Sequence, residues 1–190
     1  MRLLMLAPPG AGKGTQADRL AQRFGIEHIS SGDLLRKEVA EATPVGMLAK
    51  SYLDQGDLVP DEVVMKMILD RIVDADTRGG YILDGFPRNL RQAERAYEVA
   101  KDLGLTIDAA IHLDVSHDES IRRLLDRHGS QGRADDSEAT IRHRLEVFET
   151  ATLPLLNYYE DRGVLIRING EQSVDVVTEE ILEALAARGL

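Results

Sequence analysis

Gly10-Ala11-Gly12-Lys13-Gly14-Thr15 is the stretch of this chain best equipped for chemistry. Its glycines let backbone N–H groups turn inward without a Cβ in the way. Lys13 adds a full positive charge that can follow a moving phosphate, and Thr15 adds a hydroxyl. The apolar run Leu3-Leu4-Met5-Leu6 precedes this loop. Ala17, Leu20, Ala21 and Phe24 follow it at i, i+3, i+4 and i+7, one face of a helix. A strand, a glycine loop with one lysine, then a helix is the context of a phosphate cradle, because a helix start supplies unpaired N–H donors and the positive end of a dipole. The loop departs from the general pattern at Ala7, where a first glycine is usual, and at Gly14, which leaves the hydroxyl one place later at Thr15. If position 7 needs a positive φ, alanine there costs roughly 1 kcal/mol.

A second group of residues reads Tyr81-Ile82-Leu83-Asp84-Gly85-Phe86-Pro87-Arg88. It ends a buried strand on an acid and turns through Gly85 and Pro87 to an arginine. An acid at the carboxyl end of a parallel strand, beside a phosphate loop, is placed for magnesium, directly or through waters.

The whole chain narrows the choices further. Its 190 residues suffice for one domain with a full core, taken as 1–190. A net charge of −10 argues against nucleic acid or an anionic membrane as partner, while leaving room for a local basic cleft. With no cysteine, neither a disulfide framework nor a cysteine-ligated zinc site is available. No apolar run approaches the ~18 residues of a membrane span. The start of the chain is too short for a signal peptide and leads straight into the loop, so it reads as a first strand. A reducing, cytoplasmic setting is expected.

Strands are expected at 2–6, 26–29, 80–84, 109–114 and 164–168. The helices between them carry recognisable ends. Ser116 and Glu119 form a capping-box pattern opening a helix toward Arg127. Gly25 and Gly104 stand where helices should stop. Pro60-Asp61-Glu62 opens a helix bearing Val63, Val64, Met67 and Ile68. A helix from about Asp136 carries Ile141, Leu145 and Phe148 on one face, and Pro154 should kink or restart it. Ser173 opens the last helix, with Val177, Ile181 and Leu185 on one face. Strands alternating with helices imply an α/β fold: a parallel sheet flanked by helices on both faces. Residues 30–60 give helices with no strand and read as an excursion from the core. Residues 128–135 are polar and glycine-rich and read as a short loop.

Taken together, Gly10 to Gln16, Ser30-Ser31-Gly32-Asp33-Leu34-Leu35-Arg36, Gly56-Asp57-Leu58-Val59-Pro60-Asp61, Asp84 to Arg88, and Gly132-Arg133-Ala134-Asp135-Asp136 resemble the adenylate kinase family in order and spacing. The resemblance runs from Leu3 to about Leu185 and is to the short-lid form. It implies the P-loop nucleoside monophosphate kinase fold with a five-stranded parallel sheet, a nucleoside-monophosphate-binding excursion at 30–60 and a lid at 124–137. It implies reversible transfer of a phosphoryl group from MgATP to AMP, giving two ADP. Under it, Lys13 and the N–H groups of Gly10, Ala11, Gly12, Gly14 and Thr15 hold the ATP phosphates, with Arg127. Arg88 holds the AMP phosphate against the transferring group. Arg123, Arg133 and Arg144 match the family's remaining lid and hinge arginines. Ser31, Arg36, Gly85 and Gln92 match AMP positions, with Leu58 and Val59 along the adenine. Ser31 stands where threonine is usual and keeps the hydroxyl. Gln92 offers an amide donor and acceptor, which suits an adenine edge.

Asp84, and Asp33 with it, match positions that hold magnesium through water; Asp33 equally reads as a capping acid. Asp135 and Asp136 read either as partners of lid arginines or as caps. The lid lacks a metal-ligand set, so no zinc is expected, and His28, His112, His117, His128 and His143 read as structural or surface residues. No long exposed apolar stripe calls for a partner, so a monomer is expected. A pyrimidine (UMP/CMP) kinase shares the loop and the Asp84–Arg88 stretch, and Asn89 keeps it open. A non-catalytic nucleotide-binding module is the remaining alternative.

Overall fold

In a computed structural model, which describes residues 1–131 and 137–190 with the side chains of 127–131 excepted, five strands make one parallel sheet. They are β1 (Arg2–Leu6), β2 (Glu27–Ser30), β3 (Tyr81–Asp84), β4 (Ala109–Asp114) and β5 (Leu165–Asn169), in the order β2-β3-β1-β4-β5. Each lies within one residue of its expected position. In β1, Leu4 and Leu6 enter one core and Leu3 and Met5 the other, so both faces of the strand are apolar. One face is covered by α1 (Lys13–Phe24) and α9 (Val174–Ala186), through Ala17, Leu20, Val177, Ile181 and Leu185. The other is covered by α4 (Asp61–Thr77), α5 (Leu90–Leu103) and α8 (Leu155–Glu160). Leu20 is fully buried, so truncating it to alanine should cost about 2–5 kcal/mol.

The excursion from the core consists of two helices, α2 (Ser31–Ala40) and α3 (Pro44–Gln55). Both are capped locally: Ser30 Oγ accepts from the Asp33 N–H at 3.2 Å, and Thr43 Oγ1 accepts from Gly46 at 3.0 Å. The cap of α2 is therefore Ser30, and Asp33 is a first-turn acid rather than the capping residue. Gly25 and Gly104 end α1 and α5 as expected. In α4 the buried stripe is Val64, Met65, Ile68 and Ile72, with Val63 and Met67 only partly covered. Periodicity alone set that stripe one residue off.

Two local readings change, and a third is met. The helix α6 (His117–Gln131) begins with half a capping box: Ser116 Oγ accepts from the Glu119 N–H at 3.4 Å, but the Ser116 N–H donates to Glu171 at 2.9 Å. The Glu119 carboxylate turns instead to Arg122 and Arg123. The same helix continues to Gln131, into the segment expected to be loop from 128. His128, Ser130 and Gln131 do not break a propagating helix, and Gly129 costs it only about 1 kcal/mol. The rest of that loop, with Asp135 and Asp136, lies outside the described residues. Finally, α7 (Glu138–Val147) is capped by Ser137, passes into a wide turn over Phe148–Thr152, and restarts as α8 after Pro154. Leu153 N–H reaches back to Phe148 at 2.8 Å, five residues away. A proline cannot donate and crowds the carbonyl four residues back, and the wider turn accommodates it.

Candidate active site

The sheet order places β1 at the centre, with the chain crossing to β3 on one side and β4 on the other. In open α/β sheets such a switch point leaves a crevice beyond the carboxyl ends of the strands. Here it is a cleft of about 550 Å³. Gly10, Gly12, Lys13, Gly14 and Thr15 form one wall. Ala11 is buried behind them, its N–H bonded to the Pro8 carbonyl at 3.3 Å. Gly10 has φ +85°, and a Cβ there would meet the Ser120 carbonyl of α6 at 2.7 Å, so the loop needs glycine at that point. Ala7 does not share this geometry: among the described non-glycine residues only Ala42 has a positive φ. The expected penalty at position 7 is therefore absent. Lys13 Nζ donates to the Ala7 and Pro8 carbonyls at 2.7 and 3.0 Å, lying along the rim of its own loop.

Asp84 ends β3 opposite Met5 and Ser30 in the strand register and lines the cleft near Gly14. Burial pushes its carboxyl up, but the His28 imidazole, Lys13 and Arg88 outweigh burial and hold it below the ordinary carboxylate value. It is thus ionised at neutral pH. His28 Nε2 is 3.8 Å from Asp84, an ion-pair distance rather than a hydrogen bond, while His28 Nδ1 lies 2.7 Å from Asp18. Burial pushes His28 down, and Asp84 and Asp18 more than reverse this.

After Asp84 the chain turns at Gly85, whose φ is +77°. The Gly85 carbonyl accepts from Ser31 Oγ at 2.7 Å and from Arg88 Nε at 2.8 Å. A Cβ at Gly85 would sit 2.8 Å from Ser31 Oγ and 3.1 Å from an Arg88 nitrogen, so both the φ and the crowding select glycine. The Phe86–Pro87 peptide is cis, and Thr152 Oγ1 donates to the Arg88 carbonyl at 2.7 Å from the wide turn. A smaller recess opens beside this loop, lined by Ser31, Leu58, Val59, Gly85, Arg88 and Gln92. Gln92 and Ser31 are each 2% exposed.

Arg36, Arg123 and Arg144 complete the cleft with Asp33. Arg36 is paired to Asp33 at 2.5 Å. Arg123 is held by Glu119 at 2.6 Å and the Gly170 carbonyl at 3.0 Å. Arg144 packs its stem where a Cβ at Gly56 would be, 2.7 Å away. Five cationic side chains, Lys13, Arg36, Arg88, Arg123 and Arg144, therefore face one cleft in a chain of net charge −10. Low dielectric walls make such an array far stronger toward phosphate than the same charges in water. The expected site residues Arg127 and Arg133 lie outside the described side chains.

Sequence reasoning passed over His28, Asp18 and Asp61 at this site, and read the histidines as structural or surface residues. His117 and His143 are surface residues as expected, facing Glu149 and Asp57, whereas His28 stands in the cleft facing Asp84 and Asp18. Those acids are distant in sequence, and only the strand register and helix packing bring them together. His112 fits the structural reading: it is buried, with Nδ1 3.2 Å from the Leu6 carbonyl.

The adenylate kinase family model matches residues 5–164. An adenylate kinase of Leptospira biflexa is 47% identical over 184 residues, covering 97% of this chain and 99% of its own length. One of Thermobifida fusca is 46% identical over 188 residues, covering 99% and 100%. Adenylate kinase 1 of a Nostoc species is 46% identical over 186 residues, covering 98% and 99%. With matches of this extent laid over a parallel sheet, a glycine loop and a cationic cleft, the chain is an enzyme of the nucleoside monophosphate kinase fold and belongs to the adenylate kinase family.

Proposed function

We propose that the cleft transfers a phosphoryl group reversibly from MgATP to AMP, giving two ADP. The observation that carries this reading is the convergence of Lys13, Arg36, Arg88, Arg123 and Arg144 on one crevice beside an ionised Asp84. Phosphoryl transfer needs little covalent help; it needs alignment and positive charge around the equatorial oxygens. Lys13 and the loop N–H groups from Gly10 to Thr15 hold the ATP phosphates, with Arg127. Arg88 holds the AMP phosphate in line with the transferring group, while Arg123, Arg133 and Arg144 surround it. Ser31, Arg36 and Gly85 shape the AMP side, Leu58 and Val59 flank the adenine, and Gln92 reads its edge. No general base is needed, because the accepting phosphate oxygen is already anionic. The 30–60 excursion and the 124–137 lid close over both nucleotides and exclude water, which would otherwise accept the phosphoryl group.

Magnesium fits the donor set. It takes one or two carboxylates, keeps several waters and leaves the remaining positions to substrate phosphate. Asp84 and Asp33 supply the carboxylates, and the buried His28 Nε2, without a hydrogen-bond partner in the structure, suits one of the waters. No cluster of three acidic, histidine or cysteine ligands occurs among the described residues, in keeping with an ion carried chiefly by the nucleotide. Held through water by Asp84 and Asp33, magnesium would supply positive charge against the phosphates when bound with ATP.

The pyrimidine alternative is not favoured, since the relatives carry the adenylate name. The cytoplasm is the proposed working compartment, and a chain without cysteine is compatible with it. No described helix is long and apolar enough to cross a membrane. A monomer is the proposed state, with the exposed Val73, Tyr97 and Leu103 gathered at one small apolar pocket between α4 and α5. A coupled assay offering AMP, CMP, UMP and GMP in turn with MgATP tests the reading. AMP should be used far better than the others, and equal use of CMP would overturn it.

A further inference from the structure

Asp61 opens α4 and Gln92 lies in the first turn of α5. One oxygen of Asp61, Oδ1, accepts from Gln92 Nε2 at 2.7 Å and from Asn89 Nδ2 at 3.0 Å. The other end of the same amide, Gln92 Oε1, accepts from the Arg88 N–H at 2.7 Å. Asn89 closes the set, its Oδ1 accepting from the Gln92 N–H at 2.8 Å. An ionised carboxylate can only accept, and a backbone N–H can only donate. Reversing the Gln92 amide would place oxygen against oxygen and N–H against N–H. With Gln92 2% exposed, water could not replace the lost bonds. The usual ambiguity of an amide side chain is thus removed by its neighbours.

An amide carries two donor hydrogens and two acceptor lone pairs. The contacts to Asp61 and Arg88 use one of each, leaving one N–H and one lone pair in a fixed order on the wall of the recess formed with Leu58, Val59 and Val64. A base edge that presents an amino donor beside a ring-nitrogen acceptor matches that order. An edge with an oxo acceptor beside a ring N–H requires the reverse. We infer that Asp61 is a specificity-determining positioning residue: by locking the Gln92 amide in one orientation, it makes the acceptor site take 6-aminopurine monophosphates and reject 6-oxopurine ones. This deepens the reading of Gln92 as the base-facing residue and rests on it. Size selection between adenine and cytosine, which share the same edge order, falls to the apolar walls.

IMP is the cleanest probe, because it differs from AMP only in that edge. In Asp61→Asn the carboxamide can turn to serve either orientation of Gln92 at the cost of its bond from Asn89, so the obligatory acceptor is gone and only the Arg88 N–H and the Asn89 Nδ2 donor remain of the lock. The ratio of kcat/KM for AMP over IMP should fall about tenfold, the low end of the cost of an unsatisfied buried hydrogen-bonding group. The change should appear as a higher KM for AMP with little change in kcat, and the ratio of AMP over CMP should hold. Glu62→Gln removes a charge from the same turn without touching Gln92 and should leave the AMP/IMP ratio alone. If Asp61→Asn does not fold, Asp61→Ser makes the same test with a small polar residue. In a Gln92→Ala background, Asp61→Asn should add nothing to the loss of discrimination. An unchanged AMP/IMP ratio in folded Asp61→Asn, or an equal change in Glu62→Gln, overturns the inference. If Gln92→Ala itself keeps the ratio, the base-facing reading of Gln92 falls and takes the inference with it. If Gln92→Ala loses the ratio while Asp61→Asn keeps it, only the role of Asp61 falls.

Discussion

Replacing Gly85 by alanine should damage stability and the acceptor site together, and the two effects can be separated. The residue has φ +77°, so a Cβ there pays the left-handed cost of roughly 1–2 kcal/mol. For a chain of this size that is a fall in Tm of about 2–8 °C. The new methyl would also lie 2.8 Å from Ser31 Oγ, closer than real Cβ contacts allow, and 3.1 Å from the Arg88 guanidinium. Both side chains bond the Gly85 carbonyl, so both must shift. A misplacement of about 1 Å in a positioning group can cost on the order of a hundredfold, and the smaller shift needed here should cost about tenfold to a hundredfold in kcat/KM for AMP. Gly163→Ala is the control. Gly163 has φ +70° with no atom within 4 Å of the added Cβ, on the turn before β5. It carries the same backbone cost without touching the cleft. Thermal unfolding and steady-state kinetics on both variants decide the matter. Similar Tm losses with an AMP defect confined to Gly85→Ala is the expected result. Equal activity in the two variants would refute the crowding argument.

Three further outcomes follow from named contacts. Lys13→Ala should fold normally and lose activity by about a hundredfold or more, the usual cost of one preorganised charge at the transition state; near-full turnover would remove the loop from the mechanism. Asp84→Asn should raise the magnesium concentration that gives half-maximal rate while leaving AMP binding nearly unchanged, measured by metal titration and by calorimetry with AMP. Burial holds His112 below its ordinary value of 6.5, outweighing its bond to the Leu6 carbonyl, so between its folded value and 6.5 the unfolded chain binds a proton that the folded chain refuses. Its contribution to stability therefore falls as pH drops below about 6.5, by at most about 1.4 kcal/mol per pH unit, and urea unfolding of His112→Asn should lose that part of the slope.

Local signals carried much of the fold. Leu3 to Leu6 read as a buried strand because its apolar residues are continuous, and Ser173 with Val177, Ile181 and Leu185 read as a capped amphipathic helix; both appear as expected. The strand order is not local, and neither are the contacts it creates. Nothing in the sequence links His28 to Asp84, because their proximity depends on β2 pairing with β3. The partner of the Ser116 N–H is Glu171, brought over from beyond β5, rather than the Glu119 three residues on. At the candidate site, Lys13, Asp84 and Arg88 were legible because a loop, a strand end and a turn each carry their own pattern. The tie of Gln92 to Asp61 was not, since it joins the starts of two helices through a carboxylate that sequence marks only as the second residue of a helix opening.

A cleft that moves a phosphoryl group between two adenine nucleotides can use ADP as both donor and acceptor. The most direct test supplies ADP alone with magnesium and follows the mixture by phosphorus NMR. The cleft should convert ADP into ATP and AMP in equal amounts until the three reach a steady composition, with no release of inorganic phosphate, and Lys13→Ala should slow the approach without altering the end point. Unchanged ADP in the presence of folded protein, or inorganic phosphate appearing without matching ATP, would contradict it.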